Sequence, residues 1–114
     1  MNNHLTKPDS LALIQTIKHV INENGIVYLY SNGKTNVQIL ADMGITCYTQ
    51  KLLIEGLGVE DYYGTGNEFY HNDWQVVAGF YKRYQQFEVG IKISLSAYVE
   101  APAVCLEFIP KRLL

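Results

Sequence analysis

The sequence predicts an α+β fold, with helices in the N-terminal part packed on a C-terminal antiparallel sheet of about three strands. Two patterns indicate this class. Apolar residues recur at helical spacing early in the chain, and β-prone runs joined by short connections occupy its last third. A length of 114 residues suits one domain. We expect residues 1–8 to form a flexible tail and residues 9–114 to form the domain.

The predicted helices lie in the first half of the chain. The first should span residues 9–24, where apolar residues keep helical spacing until Asn24-Gly25 ends the pattern. Residues 26–30 are β-prone and predict one short extra strand. A short helical segment should follow at 36–43, and a second main helix should begin after Thr46, which is a suitable N-cap.

Three β-prone runs predict the sheet. They span residues 74–82, 87–95 and 104–109, and their short connections favour an antiparallel meander. The preceding stretch, residues 58–72, is polar and contains glycines, so we expect a loop there. Within that loop Gly64-Thr65-Gly66 should form a turn.

Composition excludes several classes of protein. Hydrophobic residues make up 48% of the chain and charged residues 18%, which excludes a disordered chain. No apolar run approaches the ~20 residues of a membrane helix, and the polar N-terminus lacks a signal-peptide core. We therefore expect a cytoplasmic protein that does not bind a membrane. Cys47 and Cys105 predict two ordinary thiols, and without a metal-binding motif we expect no cofactor.

The charge is distributed unevenly along the chain. The net charge of −2 argues against a strongly basic nucleic-acid binder. After Asp73, however, five basic residues face three acidic ones. This excess predicts either a positive patch on the C-terminal sheet, able to meet phosphates or an acidic partner, or a scattered solvated surface.

Five short segments stand in a characteristic order. They are Asn36-x-x-x-Leu40-x-x-Met43-Gly44-Ile45-Thr46, Leu57-x-x-x-Asp61-Tyr62-Tyr63, Trp74-Gln75, Ile91-Lys92-Ile93 and Val104-Cys105-Leu106-Glu107-Phe108. In this order and spacing they resemble the MqsR-type (motility quorum-sensing regulator) toxin family. The resemblance covers about residues 11–111, nearly the whole chain.

The resemblance implies a RelE-like RNase fold, in a toxin that cleaves mRNA and is neutralised by a cognate antitoxin protein. The family's glutamine and strand lysine are retained as Gln75 and Lys92. Three other positions depart from the family. Gly64 replaces a lysine, Gly90 replaces a tyrosine, and Ile109 replaces a basic residue or histidine. Because these departures remove most of the acid–base groups, the resemblance supports the fold better than the activity.

Metal-free RNA cleavage needs a base for the 2′-hydroxyl, an acid for the leaving 5′-oxygen and a cation for the phosphate. The candidates are Gln75, Lys92 and His71, the last because histidine titrates near pH ~6.5. A lone histidine in a loop is more often simply exposed, and this is the alternative for His71. Lys92 and Glu107 should share the sheet face turned away from the core. They would serve there as cation and base, or form a cross-strand ion pair, and the ion pair is the simpler interpretation.

Strand alternation gives one more expectation. It directs Val104, Leu106 and Phe108 into the core and Cys105 outward. We also expect Tyr62 and Tyr63 to pack the predicted loop at residues 58–72 against the helices.

Aromatic and basic residues also alternate near the predicted sheet. Such side chains stack on bases and contact phosphates, and they are equally enriched in protein interfaces. The candidate RNA- or partner-binding residues are Tyr81, Lys82, Arg83, Tyr84, Lys111 and Arg112.

Two functions of different class therefore remain open. One is an MqsR-like, metal-independent endoribonuclease with an altered site, which acts on mRNA and is bound by an antitoxin. The other is a non-catalytic inhibitor or regulator on the same fold, for example phage- or defence-related, which binds another protein partner.

Overall fold

The computed structural model describes the backbone of residues 7–30, 33–70, 73–96, 98 and 100–113. It describes the side chains of these residues except those of 7–8, 65–70, 73–75 and 112–113. In chain order the elements are α1 (Lys7–Asn24), β1 (Ile26–Tyr28), α2 (Gly33–Asp42), α3 (Cys47–Glu55), a 3₁₀ turn (Val59–Asp61), β2 (Tyr62–Tyr70), β3 (Asp73–Tyr84), β4 (Phe87–Ser96) and β5 (Ala103–Leu113).

The α+β class is confirmed, and the sheet is larger than predicted. It contains five strands in the order β1-β5-β4-β3-β2. Strands β2 to β5 are antiparallel neighbours, as predicted for β3, β4 and β5, whereas β1 pairs parallel with β5. The short predicted strand after α1 is thus part of the same sheet and forms one of its edges.

The polar stretch at residues 58–72 was wrongly predicted to be a loop. It contains β2, which pairs along its length with β3. The predicted turn Gly64-Thr65-Gly66 lies inside this strand and pairs with Gly79, Ala78 and Val77. An edge strand takes its backbone hydrogen bonds from its neighbour and needs little apolar patterning, so polar and glycine residues do not prevent it from forming.

The helix boundaries follow local signals. The Thr46 hydroxyl accepts a hydrogen bond from the Thr49 backbone N–H at 3.2 Å, which confirms the predicted cap of α3. Gly25 ends α1 with φ +86°, a conformation that glycine adopts easily. Of the predicted tail, residues 1–6 lie outside the described part of the chain, and residues 7 and 8 belong to α1. None of the described helices is long and apolar enough to span a membrane.

The core lies between the helices and one face of the sheet. All three helices contribute buried apolar side chains to it, and β3, β4 and β5 supply the other half. Its members are Ile14, Ile17, Leu40, Ile45, Ile54, Leu57, Ala78, Phe80, Val89, Ile91, Ile93, Ala103, Cys105 and Phe108. The opposite side of the sheet is called the helix-free face below, because every described helix packs on the core side.

A β-bulge changes the alternation of β5. The register pairs Lys92 with Glu107 but Ile93 with Cys105, so Leu106 is an extra residue on β5. Cys105 is consequently buried in the core, and Val104 lies half-buried on the other side, which corrects both predictions. Glu107 and Phe108, beyond the bulge, keep their predicted sides.

The buried Cys105 thiol should make stability depend on pH. Burial raises the pKa of this thiol to about 12, whereas an unfolded cysteine titrates near ~8.5. Between these values the unfolded state binds fewer protons, so the free energy of unfolding falls as pH rises. Between pH 8 and 10 we expect a loss of about 1.5–2 kcal/mol in urea unfolding.

The control for this prediction is Cys105→Ala, which should remove most of the slope while retaining Cys47. The range is chosen because Tyr28, Tyr30 and Tyr63, whose pKa values burial also raises, contribute mainly above pH ~10. If the free energy of unfolding fell equally steeply with pH in wild type and in Cys105→Ala, the pH dependence would belong to other groups.

Candidate functional site

The candidate site lies at the centre of the helix-free face. Because Ile91 and Ile93 point into the core, Lys92 projects from the opposite side of β4. Its Cα is in register with Gly79 on β3 and with Glu107 on β5. These three positions form a row across the middle of the sheet, and neighbouring Cβ positions in such a row lie about 5 Å apart.

Glu107 is the buried acid of this row. It is 8% exposed, and its Oε1 accepts a hydrogen bond from Lys111 Nζ at 2.9 Å. The ion pair of Glu107 is thus with Lys111 on its own strand, and not the cross-strand pair with Lys92 that was the simpler prediction. The second oxygen, Oε2, is buried and has no hydrogen-bond partner within the described residues. A buried acceptor of this kind is rare in proteins and calls for an explanation.

Tyr63 lies at the other end of the row. A Cβ on Gly79 would lie 2.3 Å from Cζ of Tyr63 and 2.5 Å from its hydroxyl oxygen, so only glycine leaves room for the phenol. The ring stacks on Tyr81 with centroids 4.4 Å apart and an interplanar angle of 22°. The phenol of Tyr63 and the carboxylate of Glu107 therefore flank the Lys92 position.

Lys111 reaches this site across a second glycine. A Cβ on Gly90 would lie 2.7 Å from Cγ of Lys111, so the aliphatic stem of the lysine passes directly over Gly90. Gly90 is also the register partner of Tyr81. The absence of a side chain at residue 90 thus allows Lys111 to pair with Glu107 beside the tyrosine pair.

We call Tyr63, Tyr81, Lys92, Glu107 and Lys111 the Glu107 cluster. Burial, together with the electrostatic influence of Tyr81 and Glu107, raises the pKa of the Tyr63 phenol, so this group keeps its proton at neutral pH. The cluster combines a buried carboxylate, a protonated phenol and two cationic side chains. Within the described chain no group of three His, Cys, Asp or Glu residues is placed to hold a metal ion.

Two other predicted site residues, Lys82 and Tyr84, lie on the core side of the sheet. Lys82 donates to the Gly56 carbonyl at 3.0 Å and pairs with Asp61 at 3.3 Å, so it ties β3 to the segment after α3. Tyr84 packs against the core. Arg83 is exposed, and alternation along β3 places it on the same face as Tyr81.

Three predicted residues are described only in part or not at all. Gln75 lies in β3 with its backbone in register with Glu68 and Ser96, and its side chain is outside the described set. Arg112 lies in β5 in register with Glu88, also without a described side chain. His71 lies outside the described residues.

Sequence reasoning missed the role of Tyr63. Tyr62 packs against the core, with its ring centroid 5.9 Å from that of Phe80 on β3. Tyr63 points to the opposite face, since the β2 register shifts between Tyr62 and Gly64. The available signal was glycine in strand interiors, at residues 79 and 90, which often marks the close approach of another group.

A second surface lies on the core side of the sheet edge, beside β1. An apolar groove of about 350 Å³ runs between β1, α2 and α3, and its lining includes Tyr30, Leu40, Ile45 and Gln50. The Tyr30 hydroxyl donates to Gln50 Oε1 in its wall.

Comparisons with known proteins find no relative of this chain. No family model, no curated protein and no solved structure matches it significantly. The MqsR resemblance therefore stays a prediction from the residues.

Proposed function

We propose that this protein is an MqsR-like toxin that cleaves mRNA as a metal-independent endoribonuclease, with the Glu107 cluster as its altered active site. One observation carries the proposal: a buried carboxylate oxygen without a described partner lies beside two lysines and a tyrosine. An unpaired buried carboxylate oxygen lowers stability. A role as general base explains why such a group would be retained.

In the proposed reaction the bound RNA displaces the side chains that cover Glu107 Oε2, and this oxygen accepts the proton of the RNA 2′-hydroxyl. The 2′-oxygen forms a bond to phosphorus, and the bond between phosphorus and the 5′-oxygen breaks. Tyr63 gives its phenolic proton to the leaving 5′-oxygen, which is far more basic than a phenolate. The products are a 2′,3′-cyclic phosphate and a 5′-hydroxyl. Water then returns a proton from Glu107 to Tyr63.

The two lysines supply positive charge where the reaction develops negative charge. Lys92 lies between the acid and the base along the row, so its ammonium is suited to contact the non-bridging phosphate oxygens. Lys111 holds the other oxygen of Glu107 and fixes the direction of the carboxylate. The proposed acid, the proposed base and the two lysines thus lie on one face of the sheet.

The departures from the family pattern fit a rebuilt site. Gly90 stands where the family has a tyrosine, and a side chain there would collide with Lys111. The proposed acid is instead Tyr63, which precedes Gly64, the position where the family has a lysine. Gly79 admits its ring. We therefore propose that the lost groups are replaced from neighbouring positions, and that a cognate antitoxin controls the activity.

The alternative is a non-catalytic inhibitor or regulator that binds a protein partner. The groove beside β1 favours it, because Val37 in its lining is 57% exposed and the nearby Leu29 is 65% exposed. Exposed apolar residues around a groove are typical of interaction surfaces. This alternative predicts stoichiometric capture of a protein and no cleavage of RNA.

The test is cleavage of a mixture of mRNAs, in EDTA without ribosomes and in Mg²⁺ with ribosomes, by wild type and Lys92→Met. We expect wild type to cut and the variant to be slower by about 10²-fold, because a charge-stabilising group is lost. Lys51→Met is the control, since Lys51 is an exposed lysine on α3. Wild type that cuts no RNA in either condition would contradict the proposal and favour the binding protein.

A further inference from the structure

We propose that the Tyr63–Tyr81 pair forms a stacking subsite for one unpaired nucleobase of single-stranded RNA, next to the phosphate position at Lys92 and Lys111. The inference rests on the proposed function, and it names the form of RNA that the site accepts. It is carried by the geometry of the two rings and of the lysines beside them.

The two tyrosines form a fixed aromatic platform. Tyr63 is held over Gly79 and covers one face of the Tyr81 ring at a centroid distance of 4.4 Å. Tyr81 is nevertheless 39% exposed, so part of its surface stays accessible beside Tyr63. A ring that is already supported on one face loses little conformational freedom when a base stacks on the other.

Cationic groups border the platform on the same face. Gly90, the register partner of Tyr81, lies under the stem of Lys111, one strand away. Arg83 is exposed two residues further along β3. An aromatic face with cations beside it matches a nucleotide, whose flat base and charged phosphate are close together.

The platform requires a base whose faces are accessible. Bases in a duplex are stacked on each other, so a single-stranded segment or a loop is the form of RNA that fits. Stacking does not read hydrogen-bonding groups, and the subsite should therefore accept all four bases with only modest preference.

The experiment measures binding of a labelled 2′-O-methyl RNA oligonucleotide, which lacks the 2′-hydroxyl and cannot be cleaved. The oligonucleotide is too short to shift its register on the protein, one abasic position is moved along it, and wild type is compared with Tyr81→Leu. We expect a single abasic position to weaken binding to wild type about 5- to 100-fold. Tyr81→Leu should weaken binding of the intact oligonucleotide by the same factor and show no further loss with the abasic one.

Two further variants and a competitor complete the design. Tyr81→Trp should retain or tighten binding, because it keeps a stacking surface. Tyr48→Leu should behave as wild type, since Tyr48 is a 70% exposed tyrosine on α3. A duplex of the same sequence should compete poorly. Equal losses at every abasic position, or a position-specific loss that persists in Tyr81→Leu, would overturn the subsite.

Because the oligonucleotide cannot be cleaved, this result is independent of catalysis. The position-specific signature without RNA cleavage would support the subsite and contradict the nuclease. Cleavage without the signature would overturn the subsite and leave the nuclease intact.

Discussion

Replacing Asn36 by alanine is expected to lower the free energy of unfolding by about 3–5 kcal/mol. Asn36 is 0% exposed and lies on α2 against β5. Its Nδ2 donates to the Phe108 carbonyl at 2.9 Å, and its Oδ1 accepts from the Phe108 N–H at 3.1 Å. One side chain thus satisfies both backbone groups of a buried residue.

The size of the effect follows from what the substitution leaves behind. Strand β1 pairs with β5 only as far as Cys105, so Phe108 lies beyond the end of its neighbouring strand. Without Asn36 the Phe108 N–H and C=O remain buried, and each unpaired group is unfavourable by about 1–3 kcal/mol. Since whole domains are stable by only about 5–15 kcal/mol, the variant should be close to unfolding.

Urea unfolding followed by circular dichroism measures this difference. Gln38→Ala is the matched control, because Gln38 lies on the same helix and its hydrogen bond, to Asp42, is exposed. That variant should lose less than about 0.5 kcal/mol. Similar losses in the two variants would show that the contact with Phe108 contributes little. Asn36→Asp should also be strongly destabilised, because it removes the donor and buries a charge.

The Asn36 contact illustrates what the sequence could not predict. Its two partners are 72 positions apart, and no local pattern joins them. By contrast, the caps at Thr46 and Gly25 depend on neighbouring residues, and these helix ends were predicted correctly. Local hydrogen bonds can be predicted from a sequence, whereas the pairing of distant segments depends on the whole fold.

The strands divide in the same way. The apolar β3, β4 and β5 were predicted with their order, although each extends further than its apolar run. Polar β2 was missed, because an edge strand is stabilised by its neighbour's backbone rather than by its own pattern. The bulge at Leu106 was also not predicted from the sequence. It places the β5 residues before Leu106 on the opposite side of the sheet from the one that the alternation predicted.

The candidate site was predictable in its parts but not in its pairing. The alternation placed Lys92 and Glu107 together on one face, in agreement with their register. It did not predict that Lys111 would be the ion-pair partner, because that contact depends on the space above Gly90. Nor did it predict Tyr63, whose position depends on the register shift in β2.

Glu107→Gln should lower the rate of RNA cleavage by about 10²–10⁴-fold, because it removes the proposed base and keeps the shape of the side chain. The same substitution should not lower the stability of the fold. Neutralising a buried group whose Oε2 has no described partner should leave the free energy of unfolding unchanged or raise it by about 1 kcal/mol.

The chain offers a matched control in Glu55. Glu55 pairs with Lys51 at spacing i,i+4, as Glu107 does with Lys111. The Glu55 and Lys51 side chains, however, are both largely exposed. Glu55→Gln therefore removes a similar ion pair away from the site. It should change neither the cleavage rate nor the free energy of unfolding by more than about 0.5 kcal/mol.

Tyr63→Phe distinguishes the role of the Tyr63 hydroxyl from the role of its ring, because it removes only the hydroxyl. It should retain the stack on Tyr81, and hence oligonucleotide binding, while cleavage slows because the leaving oxygen receives no proton from the phenol. Cleavage rates on RNA and urea unfolding of the same preparations give both quantities for each variant.

The pair of measurements distinguishes a catalytic carboxylate from a structural one. A structural Glu107 would hold Lys111 over Gly90, so its neutral replacement would lose stability and any loss of activity would follow from unfolding. A catalytic Glu107 is kept despite an unfavourable burial, so its replacement stays folded and loses activity. Glu107→Gln that cuts RNA normally but unfolds more easily would assign the carboxylate to the fold alone and leave the proposed reaction without its base.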